Sequence, residues 1–183
     1  MASLTALTRK DLEKLQAEHP EYRMELVDGQ IVVMSPSGYE SDEVVAEFVR
    51  VLGNWVRPQK LGRVTASSAG FDLPNANVRA PDVSFVLAER LPKSPRSFAE
   101  LAPDLMVEVK SPTDTLKSLR DKIQFFLEQG TKVGILMNPP QRRVEIYRPE
   151  SEVEILGDGD VLMIPDLLPG FEVAIVDLWS PEF

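Results

Sequence analysis

The residues with the clearest capacity for chemistry lie on two short β-prone segments, 80–86 and 105–110. In the second segment Glu108 and Lys110 interrupt an otherwise apolar run, and strand alternation places both side chains on one face. In the first segment Asp82 follows a proline and shares a face with Ser84. If these strands are neighbours with those faces aligned, the side chains of Asp82, Glu108 and Lys110 converge on one point.

Two carboxylates beside a lysine are suited to holding a hard divalent cation. Mg²⁺ prefers oxygen ligands and usually takes one or two protein carboxylates, and an adjacent lysine can orient or deprotonate an attacking water. Without a cation, two neighbouring carboxylates oppose each other's ionisation. The alternative is a strand at a sheet edge, where Glu108 and Lys110 are merely solvated, and the spacing alone does not decide between the two interpretations.

Longer stretches of the chain carry a family resemblance. A Pro-Asp pair followed, after a variable segment, by Glu-X-Lys in an apolar strand resembles the motif of the PD-(D/E)XK nuclease superfamily. The chain resembles the Uma-type family, whose members are classed as putative restriction endonucleases. The resemblance covers 22–36, 70–75, 79–86, 107–112 and 143–148, and Lys122. This resemblance implies an α/β domain of restriction-endonuclease-like fold, with a central mixed β-sheet flanked by helices.

The resemblance also implies a function and a set of roles. It implies an endonuclease that hydrolyses DNA phosphodiester bonds with the help of Mg²⁺ or Mn²⁺, so DNA is the expected partner. It assigns the metal to Asp82, Glu108 and the backbone carbonyl of Val109. Lys110 then orients or activates the attacking water.

Two further acids, Glu40 and Glu25, are candidates for the metal site. Nucleases of this superfamily often bring a glutamate from the first core helix to the metal, which favours an acid of the second predicted helix. Glu40 precedes the helix predicted at 40–56 and is favoured, although the positive end of the helix dipole also explains an acid there. Glu25 lies in a predicted hairpin, where it either faces the site or is solvated. Many members of the family carry a histidine where this chain has Ser41, so the role of that histidine is absent or reassigned here.

Periodicity and turn signals predict the elements around these residues. Thr8 with Asp11 predicts a capped helix start, and Ser37 or Ser41 is the expected cap of the second helix. The predicted helices cover 8–17, 40–56 and a segment ending at 129, and the predicted strands cover 22–27, 30–34, 62–72, 78–87, 105–110, 132–137 and 143–148. The apolar residues near the C-terminus fit either a core or a dimer seam, namely Phe171, Val173, Ile175, Leu178 and Trp179.

Length and composition favour one domain, 1–183, with an N-terminal helical segment at 1–21 and a core at 22–183. The chain has no cysteine, which fits a reducing compartment. It has neither a secretory signal pattern at its start nor an apolar run long enough to span a membrane. We therefore expect a cytoplasmic protein with no membrane association.

Charge weakens the expectation of a DNA partner. The chain has 20 Lys and Arg against 29 Asp and Glu, a formal net charge of −9, whereas affinity for nucleic acid usually depends on a basic surface. The segment 115–148 differs, since it has seven basic and three acidic residues. These residues form either a local basic face or an ordinary solvated surface.

Two alternatives to the nuclease remain open at this stage. The acidic balance and the missing histidine fit a binding or assembly module that keeps the nuclease fold without turnover. A glycosidase that uses Asp82 and Glu108 as acid and nucleophile shares the paired carboxylates, but it leaves Lys110 without a role. A homodimer is expected for an enzyme that cuts two strands, although no residue in the sequence establishes one.

Overall fold

The computed structural model describes residues 6–183, so the first five residues of the predicted N-terminal segment lie outside the described part. Its helices are α1 (Arg9–Glu18), α2 (Tyr39–Val56) and α3 (Leu116–Glu128), with short 3₁₀ turns at Pro139–Gln141 and Ile175–Leu178. Its strands are β1 (Arg23–Val27), β2 (Gln30–Met34), β3 (Gly62–Ala66), β4 (Phe71–Asp72), β5 (Val78–Arg79), β6 (Val83–Leu87), β7 (Leu105–Val109), β8 (Val133–Asn138), β9 (Arg143–Tyr147), β10 (Glu154–Leu156), β11 (Val161–Met163) and β12 (Glu172–Ala174).

A six-stranded sheet in the order β10-β9-β8-β7-β6-β3 forms the centre of the fold. Only the β7–β8 pair of this sheet is parallel, and α3 makes the connection between the two strands. The neighbouring β6–β7 pair is antiparallel, with Val83 opposite Val107. The predicted mixed sheet is therefore confirmed, and the two strands with the chemical residues are direct neighbours in it.

The two faces of this sheet are covered by different helices. Alternate residues of β7 separate accordingly, since Val107 packs in the cluster that contains α2 and Met106 in the cluster that contains α3. Helix α2 contributes an apolar stripe with helical spacing that includes Phe48 and Leu52, and α3 contributes one that includes Ile123. Glu108 shares a face with Met106 and therefore points toward α3.

A smaller sheet in the order β2-β1-β5-β4 corrects one prediction. The two strands predicted at 62–72 and 78–87 are four strands, because a turn around Ser68, whose φ is 92°, separates β3 from β4. Pro81 separates β5 from β6, since it has no N–H to donate to a sheet ladder. The consequence is that β5 pairs with β1 and brings the first hairpin next to the segment that precedes Asp82.

Helix caps and the C-terminal segment complete the comparison. The carboxylate of Asp11 accepts hydrogen bonds from the backbone N–H of Thr8 at 2.8 Å and from its hydroxyl at 2.7 Å, as predicted. The cap predicted for α2 is wrong, because Gly38 occupies that position and a Cβ there would lie 2.8 Å from Pro112 Cδ.

The closing apolar residues belong mainly to the core, since four of them are buried, namely Phe171, Ile175, Leu178 and Trp179. Among residues 6–183, no helix has the length and apolar character that a membrane crossing requires.

Candidate active site

The junction of β6 and β7 places two of the predicted site residues together. Asp82 immediately precedes β6, and its Oδ2 accepts a hydrogen bond of 2.8 Å from the backbone N–H of Val109. The N–H and C=O of one strand residue point to the same edge, so the carbonyl of Val109 also faces the side of Asp82. Glu108 is the preceding residue on β7 and is 3% exposed.

A lysine from α3 forms the centre of this cluster. Lys122 Nζ lies 2.9 Å from Glu108 Oε1 and 3.4 Å from Glu25 Oε1, and it donates a 2.9 Å hydrogen bond to the carbonyl of Ala80. The side chain of Lys122 is only 9% exposed. Lys122 is absent from the set of site residues that the sequence predicts.

Glu25 supports the segment that leads into Asp82. Its Oε2 lies 3.0 Å from Arg79 Nε, and its Oε1 accepts a 2.9 Å hydrogen bond from the backbone N–H of Ala80. The guanidinium of Arg79 lies over the ring of Phe125, 5.2 Å from the centroid. This contact connects the Glu25–Arg79 pair to α3. Both oxygens of Glu25 are thus engaged, and the residue contacts Lys122 rather than solvent.

Burial dominates the electrostatics of the two central carboxyls. It raises the pKa of Glu108 to about 8, because desolvation and the nearby Asp82 together outweigh the attraction of Lys122. Burial also raises the pKa of Asp82, against the opposing effects of Lys122 and of the N–H of Val109. These two carboxyls therefore bind protons more tightly than ordinary carboxyls do, and an added cation would stabilise their charged forms.

The other two charged groups of the cluster, Lys122 and Glu25, have pKa values shifted toward their charged forms. Burial opposes the charged form of Lys122, but Glu108, Glu25 and Asp82 outweigh it and raise the pKa of the ammonium. Burial of Glu25 is likewise outweighed by Lys122 and Arg79, which lower the pKa of this carboxyl. Glu25 and Lys122 thus remain charged at neutral pH.

The remaining predicted residues lie at the border of the cluster. Lys110 follows the end of β7, is half-buried, and donates a 3.0 Å hydrogen bond from Nζ to the carbonyl of Ser111. Among the described residues it has no carboxylate within ion-pair distance. Glu40 is exposed in the first turn of α2 and takes part in none of the ion pairs of the cluster. The structure thus unites Asp82, Glu108 and Glu25, places Lys110 at the edge, and leaves Glu40 outside.

The oxygen atoms at this position fit a hard divalent cation. Within residues 6–183, no group of three or more His, Cys, Asp or Glu side chains is arranged to hold a metal, so a cation here would need main-chain and solvent ligands as well. Such a mixed set is usual for Mg²⁺. Glu108 Oε1 is buried and lies 2.9 Å from the ammonium of Lys122, and the carbonyl of Val109 faces the same side as Asp82.

The basic segment at 115–148 does not form a free cationic surface. All seven of its Lys and Arg side chains lie within 4.0 Å of a carboxylate. Arg120 forms a bidentate ion pair with Glu145, since its Nε and Nη2 donate hydrogen bonds of 3.0 and 2.7 Å to the two carboxylate oxygens. This segment is therefore an ion-paired surface with one buried lysine, Lys122, and not a free cationic face.

Comparison with known proteins agrees with this architecture. The fold is that of the restriction-endonuclease-like nucleases, and residues 9–176 match the Uma2 family model, described as "Putative restriction endonuclease". The chain belongs to the Uma2 family. No curated protein sequence matches it.

Two solved structures match this chain to different extents. One is the crystal structure of a "putative nuclease belonging to DUF820" from Anabaena variabilis ATCC 29413, with a TM-score of 0.76 and 24% identity, over 85% of this chain and 88% of that chain. The other is the cryoEM structure of a DrdV–DNA complex, with a TM-score of 0.36 and 17% identity, over 66% of this chain and 12% of that chain.

Proposed function

We propose that this protein is an endonuclease that hydrolyses DNA phosphodiester bonds with Mg²⁺ or Mn²⁺ as its cofactor. The observation that supports this most strongly is the pairing of the half-buried Asp82 with the strand of the buried Glu108, through the hydrogen bond from the N–H of Val109 to Asp82. A protein rarely buries two carboxylates together unless a cation compensates them. Membership of the Uma2 family supports the same reaction class.

Each residue has a role that follows from its position. Asp82, Glu108 and the carbonyl of Val109 are the proposed metal ligands. The cation, when bound, would supply Lewis-acid polarisation of the phosphoryl oxygens and lower the pKa of a bound water. Lys110, half-buried at the end of β7, would orient that water by hydrogen bonding. Lys122 compensates the charge of the carboxylates and holds Glu108 in place.

A cleavage assay tests this proposal directly. Supercoiled plasmid incubated with the protein should become nicked or linear with Mg²⁺ or Mn²⁺ and should remain intact with EDTA. Absence of cleavage by the wild-type protein with either metal, at high protein concentration and low salt, would count against the enzyme.

An inactive binding module is the second candidate. Two observations favour it: the net charge of −9, and the hydrogen bond that draws Lys110 Nζ to the carbonyl of Ser111. This module would bind DNA or a partner without metal-dependent hydrolysis, so the same plasmid assay separates it from the enzyme.

We also propose that the protein forms a homodimer through the outer edge of β2, with which no strand of residues 6–183 pairs. This strand ends the small sheet and carries no charged side chain, and Val32, Val33 and Met34 are 41%, 54% and 42% exposed. Natural proteins usually protect such edges with charges, and an antiparallel copy of β2 would pair its backbone groups. Light scattering should give a dimer mass for the wild type and a monomer mass for Val33→Lys. A dimer that persists in Val33→Lys would place the interface elsewhere.

A further inference from the structure

The cations that have no carboxylate partner are concentrated in one region of the surface. Of the 20 Lys and Arg side chains, eight lie farther than 4.0 Å from every carboxylate in the described part of the chain. Five of these eight come from two segments, 57–63 and 88–97. They are Arg57, Lys60, Arg63, Lys93 and Arg96.

These two segments border one cleft of about 540 Å³, which we call the β3 groove. Its wall includes Arg57 and Arg63 beside β3, and Ser94 and Ser97 from the segment after β6. Strand β3 ends the central sheet, so the β3 groove runs along an open sheet edge.

The charge of the groove contrasts with that of the whole chain. The two segments contain six basic residues and a single acidic one, Glu89, in a protein with a net charge of −9. One of the six, Arg90, is neutralised by the buried Asp104 at 2.9 Å. The four exposed cations, Arg57, Lys60, Lys93 and Arg96, remain available to a ligand.

Arg63 fixes the shape of the groove. Its Nε donates a 2.8 Å hydrogen bond to the carbonyl of Leu91, and its Nη2 donates a 2.7 Å bond to the carbonyl of Pro92. These bonds hold the segment with Lys93 and Arg96 against β3. The segment 88–97 is thus a fixed part of the surface, although it has no regular secondary structure.

The groove borders β6, the strand that begins directly after Asp82. Thr65 and Ser84 line it, their hydroxyls are hydrogen-bonded at 2.6 Å, and Ser84 lies two residues after Asp82. From Asp82 to Leu87, beside the basic end of the groove, an extended chain covers roughly 16 Å. That length corresponds to about five base pairs of duplex, at about 3.4 Å each.

We propose that the β3 groove binds the phosphate backbone of duplex DNA and directs the duplex toward Asp82. This inference rests on the proposed nuclease function for the identity of the ligand. Exposed lysines and arginines release counterions from DNA when they contact phosphates, so they supply affinity without sequence specificity. The groove thereby resolves the conflict between an acidic protein and an anionic substrate, because the binding charge is local.

The test compares two pairs of substitutions that change the net charge equally. Arg57→Gln with Lys60→Gln removes two cations of segment 57–63, which borders the groove, and Lys10→Gln with Arg23→Gln removes two exposed cations elsewhere. Binding of a fluorescein-labelled DNA duplex is followed by anisotropy in EDTA, so that cleavage does not interfere. A second groove pair, Lys93→Gln with Arg96→Gln, repeats the measurement on the other wall.

Each groove pair should bind the duplex about ten-fold more weakly and should reduce the slope of log affinity against log salt by about 2, since each lost phosphate contact removes about 0.9. The control pair should bind like the wild type. Equal weakening by groove and control pairs, or no binding of duplex by the wild type, would overturn the inference.

The outcome is distinguishable from that of the nuclease proposal. Cleavage of plasmid by a wild-type protein whose groove pairs bind normally would reject the groove and keep the nuclease. Groove-dependent binding without any metal-dependent cleavage would keep the groove and reject the nuclease.

Discussion

Lys122→Met is expected to lower the free energy of unfolding by about 3–5 kcal/mol above pH 8, where Glu108 is charged, because it removes one partner of a buried ion pair and leaves the other uncompensated. Methionine retains the length of the side chain but not the charge that lies 2.9 Å from Glu108 and 3.4 Å from Glu25. The hydrogen bond to the carbonyl of Ala80 is lost as well. Urea denaturation followed by circular dichroism measures the effect.

The same substitution should have a characteristic pH dependence. The folded-state pKa of Glu108, about 8, lies above its ordinary value of 4.5. A group shifted in this sense contributes stability below the ordinary pKa and loses it as the pH rises through the folded-state pKa. Removing Lys122 raises the folded-state pKa further, so wild type and variant should lose stability in parallel up to about pH 8, and the difference between them should grow above that pH.

Two further variants show whether charge is responsible. Lys122→Met combined with Glu108→Gln should recover much of the lost stability, because no uncompensated carboxylate remains on β7. Lys117→Met changes an exposed lysine of the same helix and should have little effect. A Lys122→Met protein as stable as Lys117→Met at every pH would show that the buried ammonium does not stabilise the cluster.

Lys110→Ala should reduce DNA cleavage by about 10²–10⁴-fold, the usual contribution of a side chain that transfers or orients a proton in the reaction. Folding and metal affinity should be unchanged, because the side chain is half-buried and its ammonium contacts only the neighbouring carbonyl of Ser111. The rate of plasmid nicking, the melting temperature and the Mg²⁺ affinity are measured on the same preparation.

Lys117→Ala is the matched control for this variant, since it removes an exposed lysine that pairs only with Asp121 on its own helix. It should cleave like the wild type. Cleavage by Lys110→Ala at the wild-type rate would remove Lys110 from the mechanism.

Local sequence signals predicted most of the fold. The Asp28-Gly29 turn predicts the first hairpin, and the apolar run at 132–137 predicts the strand β8. The structure confirms both, with β8 beside β7. The failures occurred where partners are distant in sequence. Nothing local to β5 indicates that it pairs with β1, because such a pairing depends on how the whole chain packs.

The candidate site was predicted in part, for the same reason. Alternation along one strand placed Glu108 correctly, and the Pro-Asp motif placed Asp82 beside it. Lys122 carried a signal of its own, since it falls between Leu119 and Ile123 in the buried stripe of α3, where a charge must find a partner. The identity of that partner depends on the tertiary fold and could not be derived from helical spacing.

Isothermal titration calorimetry with Mg²⁺ or Mn²⁺, on the wild type and on Asp82→Asn, tests the central claim that Asp82 and Glu108 hold a divalent cation. The asparagine keeps an oxygen that can accept the N–H of Val109, so the substitution removes the charge and preserves the local hydrogen bond. Asp121→Asn, an exposed change on α3, is the control. Our account predicts one site in the wild type and in the control, and loss of that site in Asp82→Asn. Equal weak binding by all three proteins would contradict the metal site and favour a binding module instead.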